Sequence, residues 1–205
     1  RVVELAGGAV RGRSSAWRYV GLLALASLPA AAVGLGLRGT VEAAFEQPLV
    51  AAGLLLVTGG LVATIRRTAP GADRSLPGPA AALWVGMAQA AAILPGVSRS
   101  GSTVAAGVWR GVEPARMAEF SFLLSVPAVG GAALLEMGPG QWGAVRAMGP
   151  ELAVGFGAAA AAGVAAIHLF VRTLRAGHFH RFAYYCWALG GGYLLAALFW
   201  PGLRG

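Results

Sequence analysis

The chain has 205 residues, 57% of them hydrophobic and 12% charged, with a mean hydropathy of +0.68. A soluble domain carries about 25% charged residues, so this composition excludes an ordinary water-soluble fold. Its apolar runs have bilayer-crossing length, roughly 17–25 residues, and lack the short alternation of a β-barrel. They predict an all-α polytopic membrane protein. The net charge of +8 comes from sixteen arginines, with no lysine, against eight acids. Most arginines lie between apolar runs, where they read as topological bias and headgroup contact, so no nucleic-acid partner is expected. The single cysteine, Cys186, excludes an intrachain disulfide or a multi-cysteine metal site; packing within a helix is the simpler reading.

The chain opens on Arg1, and RVVELAGGAVRGRSSAWR lacks the continuous apolar core and cleavage site of a signal peptide. It reads as a cytosolic connector, which leads us to expect the later part of a longer protein. Apolar spans are predicted at Tyr19–Leu37 and Pro48–Ile65, then near 120–137, then at Leu152–Val171 and Phe182–Trp200. The opening, 66–79 and 172–181 are basic and are assigned to the cytoplasm; 38–47 and 136–151 carry more acid and are assigned outside. Residues 1–205 are read as one integral membrane domain.

Parity then fixes the middle. The chain leaves a cytosolic loop at residue 79 and must be cytosolic again in RGVEPARMAE, 110–119. The segment 103–109 makes only about 10 Å of helix, too short for a hydrocarbon core of roughly 30 Å. Residues 80–109 are therefore predicted to be a re-entrant pair of half-helices, broken at PGVSRSGST, 95–103.

Irregular backbone at membrane depth is tolerated only inside protein or beside a wet cavity. Pro95 and Gly96 are expected to end the first half-helix, and Ser100 or Ser102 to cap the second. The amides and dipole at such an N-terminus favour an anion, phosphate above all. Arg99 costs about 2.5 kcal/mol or more at membrane depth unless paired or hydrated, and no acid lies within ten residues of it. Its planar guanidinium matches two phosphate oxygens. Ser98, Ser100, Gly101, Ser102 and Thr103 add hydroxyls and amides, and Gln89, on the preceding half-helix, is either a packing amide or a hydrogen bonder to the site. The competing reading is a structural loop whose arginine meets a carbonyl or a distant glutamate. SRSGST lacks the Gly-Lys pair of a P-loop. His168 reads as packed or interfacial, and His178 and His180 as part of a basic loop, since no acid or cysteine accompanies them.

The stretch GMAQAAAILPGVSRSGSTVAAGVWRGVEPARMAEFSFLLSVP, 86–127, closely resembles the second signature region of the bacterial undecaprenyl-diphosphate phosphatases, also known as bacitracin-resistance proteins. Gly86, Gln89, Pro95 to Thr103 and Phe120 to Pro127 carry the likeness. More loosely, 27–35, 45–60 and 182–191 look like helices of that family, with Cys186 where an arginine is expected. The resemblance implies an inverted-repeat bundle with re-entrant broken helices in the bacterial inner membrane, opening toward the periplasm. It implies hydrolysis of a polyprenyl diphosphate to the monophosphate, with Arg99 and Ser98 as catalytic residues and Thr103 hydrogen-bonding the diphosphate. The family's first signature, which supplies metal-binding glutamates, a histidine and a serine, has no counterpart here. Mg²⁺ or Ca²⁺ is expected as cofactor, with ligands upstream of Arg1 and none assigned to Glu42 or Glu46. Two other readings stay open: a polyprenyl-phosphate transporter or flippase, and a truncated paralogue that binds lipid phosphate without cleaving it. Small-residue runs such as 155–166 fit close helix packing, including a homodimer.

Overall fold

The computed structural model describes residues 7–8, 11–136, 148–200 and 202. Among them are eight α-helices: α1 (Ser14–Gly36), α2 (Arg38–Phe45), α3 (Pro48–Thr68), α4 (Pro79–Ala91), α5 (Arg99–Trp109), α6 (Pro114–Glu136), α7 (Gly149–Arg175) and α8 (Phe182–Phe199), with 3-10 turns at Ala69–Gly71 and Phe179–Arg181. Five segments are long and apolar enough to cross a membrane: α1, α3 with its following turn, α6, α7, and α8 with its preceding turn. The chain is a membrane protein with several spans.

Local chemistry sets the boundaries. Helices α3, α4 and α6 begin on Pro48, Pro79 and Pro114, where the missing N–H costs nothing. Helix α7 ends at Arg175, and Gly177, with φ +70°, closes it: its amide reaches Leu174 O and the His178 amide reaches Thr173 O, both at 3.0 Å. This paired closure caps the last carbonyls. Two expectations need correction. The predicted outer loop 38–47 is mostly helix, because Arg38 Nε meets Glu42 Oε1 at 2.7 Å across one turn. The loop 110–119 shrinks to four residues, since Pro114 starts α6. Most of the predicted outer loop 136–151 lies outside the described residues.

Packing centres on α5. Gly101 to Val108 are buried without interruption, surrounded by Val85 of α4 and by Met117, Phe120 and Leu124 of α6, all fully buried. Glycines permit the closest crossings. A Cβ at Gly86 would stand 2.5 Å from Ala26 O of α1, and one at Gly107 would collide with the Met117 sulfur. Helix α8 lies along α3, where Trp187 Nε1–H donates to Leu56 O at 3.2 Å. At the other edge α7 touches chiefly α6, and none of its most apolar stretch is buried. The loops flanking the α4–α5 pair are tied together: Arg74 N–H donates to Gly111 O, and Glu113 N–H to Arg74 O, both at 2.9 Å.

Candidate functional site

Two short helices flank the break, 13 residues in α4 and 11 in α5, or about 20 and 17 Å at 1.5 Å per residue. Helix α4 ends at Ala91, four residues before Pro95, so the proline does not terminate it as expected. The chain instead winds down through turns, with Ile93 N–H on Ala90 O and Leu94 N–H on Ala91 O. Gly96 then takes φ +84° and passes so near Ala51 O of α3 that any Cβ would collide with that backbone.

The cap is also corrected. Ser98, not Ser100 or Ser102, precedes the helix, and its Oγ accepts the Gly101 amide at 3.2 Å. Ser102 N–H reaches Ser98 O at 2.8 Å, so the helix starts four residues before Thr103 and includes Arg99 as its first residue. Ser98 wins because its extended backbone, φ −69° and ψ 113°, directs its hydroxyl at the amide three residues on. A Cβ at Gly101 would press on that hydroxyl at 3.0 Å and on Val62 of α3 at 3.1 Å.

A residue from α3 holds the break in place. Thr58 is 1% exposed; its Oγ1–H donates to Gly96 O at 2.8 Å and its oxygen accepts the Ser98 amide at 3.0 Å. Both sides of the turn therefore hang on one hydroxyl near the midpoint of a membrane-length helix. Thr103 is fully buried; its hydroxyl donates to Arg99 O at 2.8 Å and lies 2.7 Å from Ser121 Oγ of α6. Sequence reading missed Thr58 and Ser121. The signal for Thr58 is a hydroxyl within a mostly apolar span; Ser121 falls within the 120–127 stretch of the family likeness without being singled out.

Arg99 and Gln89 meet: the guanidinium Nε–H donates to Gln89 Oε1 at 3.1 Å, which settles Gln89 as a hydrogen bonder to this segment. Yet Gln89 Nε2, Arg99 Nη2 and Ser102 Oγ are each buried with no hydrogen-bond partner, and Arg99 has no acidic partner among the described residues. Buried polar groups are nearly always satisfied, so these three, near a helix N-terminus, are open to a water or a polar ligand. All three atoms can donate a hydrogen bond, and the amides of Arg99 and Ser100 have no acceptor among the described residues. This donor set suits an anion with several oxygens. Ser100 is only partly buried.

The other candidates lie apart. Glu42 sits in α2 paired with Arg38, His168 Nδ1 lies 2.8 Å from Val164 O on exposed α7, and His180 Nδ1 lies 3.0 Å from Gly177 O. Among the described residues no three His, Cys, Asp or Glu side chains gather, so these residues do not fit a divalent cation.

Comparison with known proteins supplies the family. The family profile described as "Bacitracin resistance protein BacA" matches residues 1–192. An "Undecaprenyl-diphosphatase" of Desulfosudis oleivorans is 41% identical over 186 residues, covering 89% of this chain and 65% of that protein. One of Desulforapulum autotrophicum is 34% identical over 174 residues, covering 84% and 63%. A third, of Methanothermobacter thermautotrophicus, is 37% identical over 184 residues, covering 86% of this chain and 99% of that protein. The chain thus spans a little under two thirds of the first two relatives and nearly all of the third. With the profile matched along most of its length, the chain belongs to the bacitracin resistance protein BacA family.

Proposed function

We propose that the protein is a membrane phosphatase that removes the terminal phosphate of undecaprenyl, or another polyprenyl, diphosphate, leaving the monophosphate carrier for cell-wall synthesis. The observation that carries this reading is the unsatisfied donor cluster of Arg99, Gln89 and Ser102 at the start of α5, in a family whose relatives bear the name of that reaction.

Each residue has a role in that chemistry. Arg99 binds the diphosphate, with Gln89 holding the guanidinium through Nε and offering Nε2 to the same ligand. Ser98 Oγ accepts from Gly101 and keeps its own proton to donate to a phosphoryl oxygen. Ser102 and the amides of Arg99 and Ser100 complete the cradle. These donors are fixed before substrate arrives, so charge gathering on the terminal phosphoryl group meets oriented dipoles without reorganisation. Thr103, committed to Arg99 O and Ser121, holds the first turn of α5 in register. Mg²⁺ or Ca²⁺, with ligands upstream of residue 1, belongs to the proposal as well.

The same proposal includes a re-entrant α4–α5 pair, within an inverted repeat, in the bacterial inner membrane. Support for the re-entrant pair comes from the helices' short lengths and from the backbone bonds joining Arg74 to Gly111 and Glu113. A site facing the periplasm is supported by contact of the break with Ala51 and Thr58, away from the Arg66–Arg67 end of α3 that charge bias assigns to the cytoplasm. A homodimer is proposed on the small-residue face of α7.

The test is phosphate release from C55 diphosphate by the purified protein in detergent with Mg²⁺. Release that is lost in Arg99→Ala, with helicity retained, is the expected result. Tight binding of the lipid without release would replace hydrolysis by a carrier or non-catalytic binder.

A further inference from the structure

The C-terminal end of α7 and the start of α8 border an open groove of about 590 Å³, within the roughly 300–1,000 Å³ typical of small-ligand sites. Its surface is mainly apolar, with basic side chains along it. Arg172, His178 and Arg181 supply cationic or proton-donating groups, while Leu169, Phe182 and Tyr185 supply an apolar wall. No acidic side chain lines it, and neither arginine has an ion pair among the described residues.

We infer that this groove is a binding site for an anionic glycerophospholipid, its phosphodiester held by Arg172 and Arg181 and one acyl chain laid against Leu169, Phe182 and Tyr185. Charge complementarity selects the headgroup, since arginine pairs with phosphate oxygens in a fork. The apolar wall selects a lipid over a free phosphate: Leu169 lies nearly one turn further into α7 than Arg172, and Tyr185 one turn further into α8 than Arg181. Both helices have membrane length, and Leu169, Phe182 and Tyr185 are exposed, so this wall is open to an acyl chain. Phe182, the aromatic edge of this wall, is itself packed against Phe179, with ring centroids 5.5 Å apart, and Phe179 in turn against Phe170 at 4.7 Å. The α7 carbonyls that would repel an anion here are occupied by the amides of Ala176, Gly177 and His178. Basic pockets between helices at the cytoplasmic surface suit anionic headgroups generally, and positive-inside bias assigns this end to that side. The inference does not depend on the reaction proposed at α5.

The test uses the full chain in neutral detergent carrying Arg99→Ala, which removes the guanidinium of the α5 site. Native mass spectrometry compares phosphatidylglycerol with phosphatidylcholine of the same acyl chains. Phosphatidylglycerol is expected to bind roughly 20-fold tighter, about fivefold per arginine. Arg172→Gln with Arg181→Gln should bring the two lipids within about twofold, and Arg38→Gln, at the opposite end of the spans, should preserve the preference. Arg172→Gln alone, at an exposed position, should lose about fivefold and serves if the double variant does not fold. Equal binding of the two lipids by the parent, or a preference unchanged by the arginine variants, overturns the site. Displacement by glycerol phosphate at equal concentration would instead assign the arginines to a free anion.

Discussion

Helices α5 and α7 invert the rule familiar from water-soluble proteins. The eleven residues of α5 include an arginine, two serines and a threonine, yet eight successive positions are buried. Between Leu152 and Val171, α7 has His168 as its single polar side chain, and its most apolar stretch is wholly unburied, with Val154 and Phe156 about three-quarters exposed. In a bilayer, hydrocarbon side chains gain nothing from leaving lipid, so close backbone approach and hydrogen bonding decide what goes inside. Thr58, Gln89, Ser102, Thr103 and Ser121, all buried, turn their polarity inward, whereas His168 of α7 stays exposed and bonds its own helix.

Substitutions can sharpen the contrast. The largest effect is expected at Arg99: Arg99→Ala should lower phosphate release by on the order of a hundredfold or more, measured in detergent beside a circular dichroism spectrum that stays helical. Turnover within a few-fold of the parent would remove Arg99 from the chemistry. Next comes Gly96→Ala, which sets a methyl group against the α3 backbone at positive φ and should cost about 2–3 kcal/mol in denaturant-induced unfolding. Thr58→Val strips two hydrogen bonds from the break and should cost about 1–3 kcal/mol, with substrate turnover falling more than affinity. Thr58→Ser keeps the hydroxyl and should restore most of both, which a purely steric role would not predict. Phe156→Leu on α7 should change stability by less than about 0.5 kcal/mol. A larger loss would place Phe156 itself within the proposed homodimer contact on α7, which detergent sizing of the variant would test.

Much of this was legible in the chain itself. The spans follow from apolar length, and the break from the combination of proline, glycine and hydroxyl residues around Arg99. Gln89 is open in the sequence to a packing or a hydrogen-bonding role, and the structure pairs its Oε1 with Arg99 Nε. The N-terminal cap was misplaced by two or four residues since SRSGST offers three serines, and only backbone direction selects Ser98. Helix α2 reads as a loop from its short, charged sequence, whereas Arg38 and Glu42 are spaced to pair along a helix. Thr58 and Ser121 were missed for a different reason: they meet the break across 38 or 40 and 18 residues respectively, and no local pattern records such a meeting.

The placement of those two hydroxyls also orders the protein's assembly. Neither α4 nor α5 is long enough to cross a hydrocarbon core of roughly 30 Å unaided, so the pair depends on neighbours as it leaves the ribosome. Thr58 belongs to a helix synthesised beforehand and is present when Gly96 and Ser98 emerge. Ser121 belongs to a helix synthesised afterwards, so Thr103 must wait for it. The turn is thus anchored on its upstream side first, and the start of α5 acquires its final register only when α6 arrives.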